Sequence, residues 1–185
     1  FHKLNNNNIM KNIYPNIYTF NKKILKKTAN YLKLGNIAGI PTETVYGLAG
    51  NAYSKKAVQK IFHLKNRPKK NPLIIHYNSI TSLKKDVILN KNFFKLYKKY
   101  CPGPLTFVLK KNNKSKVVSL ASAGLNTIAV RFPDHKIIKS LLKIINFPLA
   151  MPSANLSSGL SPVSASDVYE EFKRKLKIII DGGNS

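Results

Sequence analysis

Over residues 41–77 the chain reads PTETVYGLAGNAYSKKAVQKIFHLKNRPKKNPLIIHY, a run that sets out a helix and a strand with polar groups at their joints. Ser54 can cap a helix that carries Ala57, Val58, Ile61 and Phe62 on one face, the spacing of an amphipathic helix. Lys65-Asn66-Arg67-Pro68 ends that helix. Pro68 and Pro72 bracket a turn, and 73–77 reads as a buried strand. Thr42, Glu43, Thr44, Tyr46, Lys65, Arg67, Asn71 and His76 all fall in the same run. So many polar groups beside apolar elements point to one wall of a site for something small and anionic.

Upstream, Ile24, Leu25, Ala29 and Leu32 predict a helix over 21–34, ended by Gly35, and 37–40 reads as a short strand. Downstream, helical pieces are expected near 79–86 and 91–100. Cys101-Pro-Gly-Pro104 then breaks the chain before a strand at 105–109. A polar loop spans 110–116, and 127–132 is a strand. Asp134 is placed to cap a helix running to residue 145. A short strand at 148–151 leads into a Ser/Asn/Gly-rich loop at 152–162. A helix from Ser164 or Asp167 and a last strand at 177–180 complete the chain, closed by Asp181-Gly-Gly183. Strands alternate with helices, so the class is α/β. The spacing is too short and uneven for the βαβ rhythm of a dinucleotide-binding fold, and neither GxGxxG nor GxxxxGK[ST] occurs. Residues 1–20, with the Asn5–Asn8 run, are expected to be a peripheral, flexible segment before a single domain over 21–185.

A chain of 185 residues is long enough for one full hydrophobic core. No apolar run approaches the roughly 18–20 residues of a membrane span, and the first residues lack the apolar stretch of a secretion signal. One cysteine, Cys101, excludes an internal disulfide and a cysteine-based zinc site. A cytoplasmic compartment is the expectation. There are 32 basic and 7 acidic residues, a net charge of +25. That balance reads as a nucleic-acid or polyphosphate partner, or equally as a Lys- and Asn-rich bias that only solvates the surface. The three arginines, Arg67, Arg131 and Arg174, say more. A planar fork of donors grips carboxylate or phosphate bidentately, as lysine cannot. Arg67 and Arg131 lie in motif-like stretches; Arg174 reads as surface.

Lys65 and Arg67, two residues apart before a rigid turn, can converge on phosphate oxygens, although such a pair also reads as a solvated helix end. His76 ends an apolar strand, where ligands often sit. Thr127, Ala129 and Arg131 share one strand face, with Arg131 at the strand end as a carboxylate clamp. Pro152-Ser-Ala-Asn155 offers short hydrogen-bonding groups and close backbone approach, or is an ordinary turn. Of the acids, Asp134 and Asp167 read as helix caps. No carboxylate pair suggests two-metal or glycosidase chemistry, and no nucleophile elbow is present. A metal, if used, is expected to be Mg²⁺ carried by a nucleotide's phosphates.

Taken in order, PTETVYGL, K-x-R-P-x-x-NPLIIH, CPGPLTFVL, T-x-A-V-R-x-P and PSANLSSGLSP resemble the YrdC/TsaC family of threonylcarbamoyl-AMP synthases over about residues 21–183. The resemblance implies a twisted mixed sheet with flanking helices and a basic concave cavity. It implies synthesis of threonylcarbamoyl-adenylate and pyrophosphate from L-threonine, bicarbonate and ATP. A TsaD-type transferase would then use the product to modify tRNA. By the same resemblance, Lys65, Arg67, Ser153 and Asn155 form the catalytic tetrad. Arg67, Asn71, Thr127, Ser153, Asn155 and Ser161 hold ATP, and Thr44, His76, Arg131 and Ser153 hold L-threonine. Lys65 and Arg67, with Mg²⁺, would offset the charge of the reacting groups. Related domains bind double-stranded RNA, so a non-catalytic module for duplex RNA or tRNA is the competing reading. Asn66 departs from the family's usual Gly between the two cations, and Asn tolerates the left-handed backbone such a turn asks for. The family pattern continues past Asp181-Gly-Gly183, so the pocket is expected to be open on that side.

Overall fold

The computed structural model describes residues 14–185. Helix α1 (Lys22–Lys33) starts where Asn21 accepts the Ile24 amide at 2.9 Å. Strands β2 (Ile37–Ile40) and β3 (Gly47–Asn51) follow, then helix α2 (Lys55–Lys65), capped by Ser54 through the Ala57 amide. Asn66 closes α2 with φ +50°, the left-handed conformation a side chain seldom adopts and Asn tolerates best. Next come β4 (Ile74–His76), the one-turn α3 (Ile80–Leu83), α4 (Lys91–Tyr100) and β5 (Thr106–Lys110). The last elements are β6 (Thr127–Arg131), α5 (Lys136–Ile144), β7 (Leu149–Ala150), α6 (Ala165–Phe172) and β8 (Ile179–Asp181). With β1 (Ile17–Thr19) the strands form one mixed sheet of order β1-β8-β2-β3-β7-β4-β6-β5. Neighbours β4 and β6 run parallel, while β7 runs antiparallel to β4 and β5 antiparallel to β6. Among the described residues no helix is long and apolar enough to cross a membrane.

Several elements differ from the sequence expectation. Strand β3 was not foreseen, because GLAGN lacks the β-branched residues that mark strands. Close packing explains its composition: a Cβ at Gly47 would lie 2.5 Å from the Met151 side chain. The helix expected near 79–86 shrinks to a single turn. Asp86 is drawn into the core at its end, where the Tyr53 and Tyr77 hydroxyls donate to its carboxylate at 2.6 and 2.9 Å. Asp134 does not cap α5. Its side chain pairs with Lys139 at 2.8 Å, and His135 Nδ1 accepts the Ile137 amide instead. Asp167 is not a cap either: Ser164 is, and Asp167 returns the bond from the third position as a capping box. The sheet also recruits Ile17–Thr19 from the segment set apart as peripheral, laying it parallel to β8. The Asn5–Asn8 run lies outside the described residues.

The two faces of the sheet are covered differently. One face packs Ile37, Leu48, Ile75, Val130 and Phe107 under α2, α4 and α6. On the other, α1 and α5 bury Ala38, Ile40, Ala49, Leu149, Ile178 and Ile180. Leu149 is paired with His76, and His76 with Arg131, so this second face continues across β4, β6 and β5. There the helices stop. Val108 on β5 is 70% exposed, which leaves Ile74, Thr127, Ala129 and Arg131 on an open, shallow face, with His76 on the same side but itself buried.

Candidate functional site

Strand direction sorts the polar groups on the open face into two ends. Thr127 opens β6 and Arg131 ends it, four residues apart on one face and so about 13 Å apart. Because β4 is parallel to β6, His76 lies beside Arg131. Because β7 is antiparallel to β4, the chain leaving it toward Ser153 and Asn155 reaches the other end. There the turn carrying Arg67 and Asn71 leads into β4.

At the first end, Arg131 donates to Thr106 Oγ1 from Nε at 3.2 Å and from Nη2 at 3.1 Å, and to Thr44 Oγ1 at 3.3 Å. Its guanidinium also lies 3.6 Å from Glu43. The chain therefore supplies an internal acid to Arg131, although acids are scarce. Thr42 shapes the turn that carries Glu43 and Thr44, its Oγ1 accepting the Thr44 and Val45 amides. His76 is 2% exposed and its Nδ1 has no partner. Burial, reinforced by the Arg131 charge, pushes its pKa down to about 3, so it is a neutral imidazole near pH 7.

At the second end, Lys65 is 1% exposed, and its Nζ donates to Ser153 O at 2.8 Å and to Asn155 O. Burial, then repulsion from Arg67, pushes the Lys65 pKa down to about 8. Arg67 braces its own turn, donating to Asn71 O at 3.1 Å and Pro72 O at 2.9 Å, which leaves three guanidinium N–H groups free of these bonds. The Asn155 amide donates to Leu156 O and Gly159 O, both at 2.7 Å, while its Oδ1 is buried and unpaired. Asn71 and Ser161 are exposed on the loops around this end, and Thr127 is half-buried. Among the described residues ion pairs engage only Arg131, Lys139 and Lys173, so most of the positive charge is uncompensated.

The structure thus gathers Thr44, His76 and Arg131 at one end and Lys65, Arg67, Asn71, Thr127, Ser153 and Asn155 toward the other. Sequence reasoning did not single out Thr106, which faces Arg131 only through the β5–β6 register. It left Tyr46 unassigned. That buried phenol donates to Gly183 O at 2.7 Å and accepts the Gly182 amide at 3.1 Å, tying residues 182–183 to the 41–47 turn. Only strand pairing reveals the first, and no local pattern signals the second.

Known proteins share the sequence and fold of this chain to a measurable degree. Threonylcarbamoyl-AMP synthase of Pyrococcus abyssi is 43% identical over 166 residues, covering 87% of this chain and 47% of the relative. The Bacillus subtilis protein of the same name is 39% identical over 86% of this chain and 46% of its own. The chain spans about half the length of these curated relatives. The crystal structure of P. abyssi Sua5 complexed with L-threonine superposes with a TM-score of 0.87 at 40% identity, over 91% of this chain and 51% of that one. YciO of E. coli, at 19% identity and a TM-score of 0.81 over 91% of this chain and 84% of its own, shares the fold. Residues 30–185 match the Sua5_yciO_yrdC family, whose description reads "Telomere recombination", and the chain belongs to that family.

Proposed function

We propose that this domain is an L-threonylcarbamoyladenylate synthase. The observation that carries the reading is the two-ended open face, in a chain 43% identical to a protein of that activity. Arg131 and Thr44 take the carboxylate end of L-threonine; Arg131 already pairs with a carboxylate, that of Glu43, at 3.6 Å. His76, neutral and with an unpaired Nδ1, offers one hydrogen bond to the amino acid. Ser153 stands between the two substrates. Arg67, Asn71, Thr127, Asn155 and Ser161 line the way for ATP, with the cations of Lys65 and Arg67 setting the potential at its phosphates.

The reaction needs no protein nucleophile. The threonine amine adds to CO₂ formed from bicarbonate, giving a carbamate and a proton. A carbamate oxygen attacks the α-phosphorus of ATP, and the bond to pyrophosphate breaks. All reacting groups are anionic, so positioning and charge neutralisation supply the catalysis. For a divalent ion the second end offers Asn155 Oδ1 and Ser157 Oγ, two buried unpaired oxygens, and the described residues include no carboxylate cage. Neutral oxygens fit an ion that keeps phosphate and water ligands, so Mg²⁺ would enter with the nucleotide and shield its phosphate charge.

The adenylate would pass to a TsaD-type transferase acting on tRNA. The net charge of +25 also favours direct contact with tRNA or duplex RNA. The test is pyrophosphate release, expected only when L-threonine, bicarbonate and ATP are all present. ATP consumption that is the same with and without threonine overturns the synthase. Tight, salt-sensitive duplex RNA binding without any ATP or threonine binding then establishes the non-catalytic module.

A further inference from the structure

Lys65 faces its own protein. It is the last residue of α2, and its Nζ reaches the carbonyls of Ser153 and Asn155. Its own carbonyl accepts the Ser157 amide at 2.9 Å. Three bonds therefore join the end of one helix to one five-residue loop. Two more hold this loop and the residue before it to β3 and the turn before β3: Leu48 N–H to Pro152 O at 2.9 Å, and Ala154 N–H to Tyr46 O at 2.7 Å. The ammonium has no carboxylate partner among the described residues. The charges facing it are Arg67, on the turn after its own helix, and Glu171 on α6, whose carboxylate already accepts the Leu156 amide at 2.7 Å.

We infer that Lys65 is a positioning residue: its buried ammonium draws the Ser153 and Asn155 carbonyls inward and fixes the loop that presents the Ser153 and Asn155 side chains, leaving Arg67 as the cation that meets phosphate. A charged donor suits this task, because charge-assisted bonds are roughly twice as strong as neutral ones. Without it, two carbonyls in the protein interior lose their partner.

The inference rests on the synthase reading for its kinetic readout and not for its structural one, so the two can fail separately. Amide hydrogen exchange is measured on the wild type, Lys65→Met and Lys65→Arg, with rates corrected for the intrinsic pH dependence. In Lys65→Met the Ala154 and Ser157 amides are expected to exchange at least about tenfold faster, with β2 and β6 unchanged. Lys65→Arg, measured in the same way, keeps the test alive if Lys65→Met fails to fold. In pyrophosphate assays Lys65→Met loses kcat with little change in KM for ATP. Lys65→Arg, which keeps the charge but replaces the compact ammonium with a planar guanidinium, restores part of the protection. Unchanged exchange at Ala154 and Ser157 overturns the inference. A loss of affinity in Lys65→Met that grows from AMP to ADP to ATP also overturns it, since that marks direct phosphate contact. A wild type without threonine-dependent pyrophosphate release removes the synthase and leaves the exchange result to decide the tether.

Discussion

Acid should unfold this protein partly through His76. The imidazole is enclosed between Leu149 on β7 and Arg131 on β6, and its folded pKa lies near 3. An unfolded histidine titrates near 6.5. Between these values the unfolded chain binds a proton that the folded chain refuses, so stability falls as pH drops from 6.5 toward 3 and is level above 6.5. At pH 4.5 the unfolded imidazole is two units below its pKa, which at about 1.36 kcal/mol per unit amounts to about 2.7 kcal/mol. Carboxylates titrate in the same range, so the wild type is compared with His76→Gln, which keeps a polar planar group and cannot take the proton. Urea unfolding followed by circular dichroism at pH 7 and 4.5, at fixed ionic strength, gives the two differences. The wild type should lose about 2–3 kcal/mol more than the variant, or about 5–11 °C in Tm at the usual scaling for this size. Parallel losses would refute the reasoning, since His76 would then be taking its proton in the folded state.

Two further outcomes follow from the geometry. Asp86 is 1% exposed and accepts from the Tyr53 and Tyr77 hydroxyls, the Ser115 hydroxyl at 2.8 Å and the Lys116 amide at 3.0 Å. Asp86→Ala leaves these donors without their acceptor and should cost about 3–5 kcal/mol, at about 1–3 kcal/mol for each buried group left unpaired. Thermal unfolding within about 2 °C of wild type would show that the donors find other partners. Arg131→Lys replaces a fork that spans Thr106, Thr44 and Glu43 with a point charge. It should raise KM for L-threonine about 10–100-fold, a loss of about 1.4–2.8 kcal/mol, with kcat changed far less; an unchanged KM would move the carboxylate clamp elsewhere.

The parts of the fold legible in sequence are those whose signal is local. Helices α1 and α2 announce themselves through apolar spacing, and α2 also through the Ser54 cap, and β4 and β6 through short apolar runs ended by polar residues. Strand β3 carries no such signal. It is built from Gly47 and Gly50, because the Met151 and Ile61 side chains occupy the space a Cβ would need. The site divides along the same line. Thr44, His76 and Arg131 are nameable from motifs, yet their meeting depends on β4 and β6 lying side by side in parallel, a pairing that the 50 residues of intervening chain, 77–126, conceal. Thr106 enters only because β5 turns back against β6 in the register that sets it opposite Arg131. A sequence motif names a polar side chain but not the acceptor it will find. Lys65 and Arg67 sit two residues apart in one motif and were expected to act together on phosphate. In the fold both spend bonds on backbone carbonyls, and the difference between them is burial. The long Lys65 stem passes through the protein and ends on the 153–155 loop, while Arg67 remains half-exposed with donors to spare. Division of labour between two adjacent cations is therefore a property of packing, set by where α2 stops and which loop lies against its end.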